Sequence, residues 1–580
     1  MNRKAIEKLY RTSKYFFFPL ILVLFALIKA DKGINLADTT YSLGNYRFFG
    51  ESSGVWFLLT FVSNVVGKLM MLLPFGGTML GMKVYTSLLI GVMGVIGYRF
   101  FLTKMPAWLA FISELAAIGL CWAPSVVLYH YLTYFLLSLG GILVFRGLAG
   151  SRDKCLVLAG VILGINGLVR FPNNGLEVLL IIPLIYYGII EKTEKGKILK
   201  QACLCIVGYL AGFFAVLIGM MITFGTGAFG QMIEGVLGIQ GSASDYTFGQ
   251  MLSSIISAYL HGARWALFML ICSLMGIPFF LLYNGRLIKL RKIVYCLCIA
   301  FLFFVFYKWG MYNFKYYQKE SALQWGVIVL LLSIGIDIWI IVSDRMNNDW
   351  KLIGAISLVI IIITPLGSNN HIWPLLNNLF LVFPVTAWVV YKFTRWGRAY
   401  LDYTNKVPLF AFKAMMSAAL IMFVIQAVGV GAAYVFVEGE NGESIRYVVN
   451  DNKILKGMKT TEFNAENLSG LSGYLLKNEN EFSGKSLMIY GNMPGLSYIL
   501  DRPSALNTTW SDLASNPVQD MENAINAIDG SDISKRPLVI VSKQLYDTPE
   551  NSVKFNMIEK FINNNAYELG YLNDEFVVFK

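Results

Sequence analysis

Two carboxylates, Asp31 and Asp38, stand in the stretch ADKGINLADTTYSLGNYRFFG (residues 30–50), directly after the first apolar run of the chain. An ionisable group at the edge of a bilayer costs free energy unless it is solvated, paired or used, so both are candidates for function. Asp31 sits beside Lys32 and reads as a paired interfacial charge, which leaves Asp38 as the group available for chemistry. Tyr41 and Asn45 follow it with the hydroxyl and amide that hydrogen-bond a hydroxyl-rich ligand. A second set is cationic: Arg170 in LVRFPNNGLE, Arg264 three residues after His261, and Lys308, Lys315 and Lys319 in YKWGMYNFKYYQKE. The charge pattern puts these on the same side of the membrane as Asp38. Cations there need an anion, and a lipid phosphate suits arginine forks and lysine point charges together. Pro172 ends a span and turns Arg170 and Asn173 toward that side. The loop GSNNHIWPLLNN (residues 367–378) adds Asn370 and His371, with Pro374 opening the next helix.

These residues need a membrane scaffold to position them. Of 580 residues, 56% are hydrophobic and 14% charged, against about 25% charged in a soluble domain. Mean hydropathy is +0.58, which marks a polytopic membrane protein. The net charge of +12 does not signal nucleic-acid binding, because the basic residues cluster between apolar runs. Thirteen runs are long enough to span, near 15–30, 81–102, 106–122, 125–146, 155–170, 176–190, 201–224, 264–284, 293–310, 322–343, 351–367, 374–391 and 411–437. With the N-terminus cytoplasmic, roughly half of the 48 Lys and Arg residues fall in cytoplasmic segments, as the positive-inside rule requires. The apolar stretch 55–75 would invert every later loop if it crossed. It reads instead as an interfacial helix within a first outer loop, 31–80.

An odd number of spans leaves residues 438–580 extracytoplasmic. Their polar composition and short apolar runs at 486–490, 538–542 and 575–579 alternate with helical patterns near 464–478 and 551–564, which predicts a small α/β domain. The division expected is thus 1–437 for the transmembrane domain and 438–580 for the outer one. All seven cysteines lie between Cys121 and Cys298 in or beside apolar runs and read as helix packing, so the outer fold does not rely on disulfides, a bacterial trait. His130, His261 and His371 all fall in outer loops or at outer helix ends. They could hold a metal, but no HExxH or metal-spaced carboxylate pair accompanies them, and the reading is no metal site. Glu114 and Asp337 lie within spans, where pairing with another helix is expected.

This organisation resembles the GT-C glycosyltransferases, membrane enzymes that transfer a sugar from a polyprenyl-phosphate donor. The shared features are a carboxylate just after the first span, a long first loop with interfacial helices, eleven to thirteen spans and a C-terminal extracytoplasmic domain. The likeness is to the bacterial branch related to protein mannosyltransferases and aminoarabinose transferases, and IYGNMPGLSYILDRPSALNTTWSDL (residues 489–513) looks like the outer domains of such proteins. Many members carry an Asp-Glu pair where this chain has Asp38-Thr39. The resemblance implies Asp38 as general base in an inverting transfer to an acceptor hydroxyl. Donor phosphate would be held by Arg170, Lys315, Lys319 and Arg264, and sugar or acceptor by Tyr41, Asn45, Asn173, Asn370 and His371. It implies a polyprenyl-phosphate-sugar donor, a protein, lipid or cell-wall polymer acceptor, contact with membrane lipids, and no cofactor, a divalent metal being compatible but unsupported. Two other classes compete. A transporter or flippase would use Glu114 and Asp337 near the midplane and show half-to-half symmetry. A non-catalytic cell-envelope assembly protein would use the outer domain to bind polymer.

Overall fold

The computed structural model describes residues 3–51, 54–241, 247–281, 287–311, 319–368, 370–404, 409–440, 442–506, 508–529 and 536–580. Lys315 lies outside them. The chain is mostly helical, and each expected span overlaps a helix at least in part. Among the described residues nine helices are long and apolar enough to cross a membrane: Glu7–Leu27, Met79–Phe101, Leu128–Ala149, Asn173–Ile190, Lys195–Phe224, Gly249–Phe280, Ile288–Lys308, Ser321–Val342 and Phe410–Ala433. The count of thirteen spans stays an expectation. Ala107–Gly119, Asp153–Asn166 and Asn348–Ile363 are shorter, and Phe383–Thr404 carries four charged residues.

Three elements depart from the expected boundaries, each for a local reason. The run 55–75 is two helices, Val55–Leu59 and Phe61–Met71, broken at Thr60. The Thr60 hydroxyl donates to Trp56 O (2.8 Å) and the Asn64 amide to Phe57 O (2.9 Å), so side chains serve the backbone groups released by the break. The run expected at 264–284 begins sixteen residues earlier, as the helix Phe248–Leu281. Ser253 and Ser254 lower its hydropathy, yet each satisfies its hydroxyl on a carbonyl one turn back. His261 and Arg264 therefore stand well inside a helix rather than at an outer helix end. Pro374 does not open the next span. It sits in the four-residue helix Trp373–Leu376, and the long helix starts at Phe383. The intervening turn is held by Asn377, whose Oδ1 accepts the Trp122 N–H (3.0 Å), and by Asn378, whose amide donates to the Thr364 hydroxyl (3.2 Å).

The C-terminal region builds one four-stranded sheet from β1 (Leu487–Tyr490), β2 (Leu538–Ser542), β3 (Leu569–Leu572) and β4 (Phe576–Phe579), in the order β1-β2-β4-β3. β1 and β2 are parallel, and the other pairs antiparallel. The central strands read as unbroken apolar runs because both faces are covered. One face packs Met488, Val539 and Val541 on Phe555, Ile558 and Phe561 of the helix Val553–Asn564. The other joins a core with Leu43 and Tyr46 of the first loop and Met79, Met82, Val126 and Leu128 of the span ends. The sheet is thereby fused to the loop that carries Asp38.

Candidate functional site

The first loop is helical where it matters. Asn35, in the left-handed region at φ 43°, accepts the Thr39 N–H on its Oδ1 (3.0 Å), and this side-chain cap starts the helix Asp38–Arg47. Asp38, Tyr41, Ser42, Asn45 and Tyr46 recur at i, i+3, i+4, i+7 and i+8, which sets them along one face. That face lines a cavity of about 1290 Å³. Tyr46 anchors the far end of the helix: its hydroxyl donates to Val126 O (2.8 Å) and accepts the Leu128 N–H (3.2 Å). The same contact places Tyr129 and His130, at the start of the helix Leu128–Ala149, on the cavity wall.

Behind the helix, the loop Ile34–Asn35 is clamped by Glu438. The carboxylate accepts both backbone N–H groups (2.6 and 2.9 Å) and the Thr460 hydroxyl (2.8 Å). Gly495 donates its N–H to Leu36 O (2.9 Å) so closely that a Cβ there would lie 1.6 Å from the Thr40 hydroxyl. Glycine is the residue this approach requires. Asp31 pairs with Lys459 of the C-terminal region (2.7 Å), not with Lys32 as expected, because Asp31 O and Gly33 N also bridge to the Lys459 backbone.

Arg170 reaches the cavity from the turn after the helix Asp153–Asn166, through the segment Phe171–Pro172, joined by a cis peptide bond. Phe171 N–H donates to Leu59 O (2.9 Å), tying this turn to the first loop. The guanidinium lies 5.8 Å above the Tyr129 ring and donates to Gly367 O (3.5 Å), which also accepts from the Asn173 amide (2.6 Å). Gly367, at φ 79°, leaves no room for a side chain: a Cβ would fall 2.0 Å from Asn173 Oδ1. Beneath them Glu177 accepts from the Asn166 amide (2.7 Å), and Asn174 donates to the Thr133 hydroxyl (2.7 Å), a buried network that holds the turn from below.

The C-terminal region closes the cavity. Trp510 meets the Tyr41 ring edge-on at 5.2 Å, Leu513 lines the wall, and Ser515 accepts the Trp56 indole N–H (2.9 Å). Asp38 is therefore largely desolvated. Burial pushes its carboxyl above the usual carboxylate range, opposed in part by a hydrogen bond from its own backbone N–H. It forms no ion pair among the described residues.

Six of the residues singled out in the sequence thus share one cavity: Asp38, Tyr41, Asn45, Arg170, Asn173 and Asn370. Two do not. Arg264 lies against its own helix, bonded to His261 Nε2 (2.9 Å) and stacked on Trp265, because the mid-helix setting brings i and i+3 together. His371, held at φ 50°, directs Nδ1 at Ser254 O (3.2 Å) and leaves the wall. The side chain of Lys319, like all of Lys315, lies outside the described residues. Trp56, Tyr129, Trp510 and Leu513 are additions that no spacing in the sequence announced, and His130 is on the wall in a role the metal reading did not give it. Glu114 and Asp337 are corrected. Neither carboxylate has a hydrogen-bond partner: Glu114 packs on Gly97, and Asp337 stands near Ser357. Neither lines the cavity, and among the described residues no three His, Cys, Asp or Glu side chains gather as a metal cluster.

No family model matches the chain, and no curated protein matches it. Solved structures similar to it include the crystal structure of ArnT from Cupriavidus metallidurans bound to undecaprenyl phosphate, at 9% identity over 98% of each chain with a TM-score of 0.46. A second is the Archaeoglobus fulgidus oligosaccharyltransferase in complex with zinc and sulfate, at 11% identity over 91% of this chain and 68% of that one, TM-score 0.45. A third is the arabinosyltransferase EmbB from Mycobacterium smegmatis, at 12% identity over 71% of this chain and 40% of that one, TM-score 0.34.

Proposed function

We propose that the protein is a membrane glycosyltransferase that moves a sugar from a polyprenyl-phosphate-sugar donor to an acceptor hydroxyl on the outer face of the membrane. The observation that carries this reading is one cavity that among the described residues holds a half-buried carboxylate without an ion pair, Asp38, and one arginine, Arg170, among amide and aromatic side chains suited to a sugar. The charge distribution between the spans supports an outward-facing cavity.

The chemistry balances on these groups. Asp38 takes the proton of the acceptor hydroxyl as its oxygen forms a bond to the anomeric carbon, and the carbon–oxygen bond to phosphate breaks, its electron pair leaving on the polyprenyl phosphate. A base whose affinity for protons is raised by burial is better matched to this task than an ordinary surface aspartate. Arg170 neutralises the charge that grows on the leaving phosphate, and it does so in a site from which Trp510 and Tyr41 exclude water. The phosphate role rests on Arg170, since Arg264 points elsewhere. Tyr41, Asn45, Asn173 and Asn370 are placed to hold sugar and acceptor.

The test is reconstitution of the full chain in vesicles with polyprenyl-phosphate sugars, reading release of polyprenyl phosphate. Asp38→Asn should lower turnover by about a hundredfold or more while thermal unfolding is unchanged. Transfer left intact in that variant would overturn the mechanism.

A further inference from the structure

The opposite side of the Asp38–Arg47 helix borders a second, separate pocket of about 720 Å³, and its wall is cationic. Lys29, Lys32 and Lys83 all line it, and among the described residues no carboxylate does. The two nearest carboxylates are committed elsewhere: Asp31 to Lys459, and Glu438 to the Ile34 and Asn35 N–H groups and Thr460. Lys29 Nζ donates to Tyr434 O (2.5 Å) and Val430 O (3.3 Å) at the end of the helix Phe410–Ala433, and Lys83 Nζ donates to Lys32 O and to Gly33 O (3.0 Å). Those carbonyls orient the two amines, and no carboxylate among the described residues forms an ion pair with either. Each ammonium has three donors, so one N–H of Lys29 and one of Lys83 remain. Thr39, Ser87 and Ser125 add hydroxyls to the same wall.

The other end of the pocket is apolar, with Phe25, Ala26, Ile90, Ile118 and Gly431 drawn from four helices that pack around it. A small anion would use the lysines and ignore this half. A lysine-rich head beside an apolar wall fits a molecule with a phosphate at one end and a chain at the other. We propose that this pocket binds the phosphate head of a membrane lipid, at a site distinct from the Asp38 cavity. The inference is independent of the transfer reading, for it uses no residue of that cavity.

Purified full-length protein is titrated with phosphatidylglycerol, undecaprenyl phosphate, phosphatidylcholine or inorganic phosphate, and retention is read by native mass spectrometry. Retention of phosphatidylglycerol, or of a second undecaprenyl phosphate beyond the one the Arg170 cavity takes, weakened at least tenfold in Lys29→Gln/Lys83→Gln, supports the proposal, and which of the two is held assigns the source; for phosphatidylglycerol, Arg170→Gln leaves retention unaffected. Lys32→Gln, on a partly exposed side chain, should weaken retention severalfold and keeps the test sound if the double variant fails to fold. Four outcomes overturn it: neither phosphatidylglycerol nor a second undecaprenyl phosphate retained, inorganic phosphate bound without either lipid, phosphatidylcholine retained as well as phosphatidylglycerol, or equal losses of phosphatidylglycerol in Lys32→Gln and Arg170→Gln.

Discussion

The helix Asp38–Arg47 separates two polar compartments of opposite design. On one side a lone carboxylate shares a cavity with a single arginine. On the other, three lysines line a pocket with no carboxylate. The separation has a chemical consequence. A cation within about 4–6 Å of Asp38 would favour the ionised form and draw its pKa down, whereas burial alone draws it up. Asn35 and Thr39 face the lysines while Asp38, one residue from Thr39, faces away. Helical geometry, with about 100° between successive residues, lets the chain hold a base and a cation cluster side by side without letting them neutralise each other.

The comparison breaks most readily at Glu438, the latch that fixes the loop from which both compartments are hung. Glu438→Ala would leave the Ile34 and Asn35 N–H groups and the Thr460 hydroxyl without their acceptor. The expected cost is about 2–4 kcal/mol, seen as a large drop in the midpoint of thermal unfolding. Glu438→Gln keeps an accepting oxygen and should recover much of the loss. If alanine were tolerated, the two compartments would not depend on a common anchor.

Glu575 tests the same anchor through pH. Burial, and then the neighbouring Glu438, push its carboxyl up to about 7 from an ordinary 4.5. A folded-state pKa above the unfolded one means that the native state holds a proton the unfolded state has released. Stability is therefore greatest below about pH 4.5 and falls as pH rises through 7. At about 1.4 kcal/mol per pH unit the loss across that window is at most about 3.5 kcal/mol, less whatever water screens at its partly open edge. Chemical denaturation of wild type and Glu575→Gln between pH 4.5 and 8 should show the slope in the first and a flatter line in the second.

Arg170 sharpens the contrast between one fork and several point charges. Arg170→Gln should lower turnover on a polyprenyl-phosphate sugar about a hundredfold, and Arg170→Lys about tenfold, because lysine restores charge but not the planar pair of donors. The pocket of lysines should be indifferent to both. Equal activity in the lysine variant would mean that the cavity needs only a charge.

How much of this was legible in the sequence follows from how far apart the partners lie along it. The carboxylate and its stripe were readable, since Asp38, Tyr41 and Asn45 fall within eight residues, and Arg170 with Asn173 announced itself beside Pro172. Many of the apolar helices, the sheet strands at 487–490, 538–542 and 576–579, and the helices near 464–478 and 551–564 were readable from hydropathy and periodicity, which are local properties, whereas the helix Val518–Asp529 and the strand at 569–572 were not. The helical form of residues 38–47 was not, because its glycine and asparagine argue against a helix and only the Asn35 cap and the packing of Tyr46 and Gly495 override them. Nor were the lid residue Trp510 or the lysine cluster, since Trp510 meets Tyr41, and Lys29 meets Tyr434, across more than four hundred residues. The ends of the helices at 248 and 383 were misjudged where serine hydroxyls found carbonyls within the helix and asparagine side chains held a turn, in ways hydropathy does not record.

The smallest effect expected is at Asp31, and it is informative for being small. Asp31 and Asp38 look alike in the sequence, yet Asp31 is a partly exposed partner of Lys459, with side chains 34% and 45% accessible. Such pairs contribute about 0–1 kcal/mol, screened further by salt. Asp31→Asn should shift the unfolding midpoint by no more than a degree or two and leave transfer unchanged, and raising salt should erase even that difference. A loss of transfer comparable to that of Asp38→Asn would show that the two carboxylates act together, and that the helix does not divide the charges as sharply as its two faces indicate.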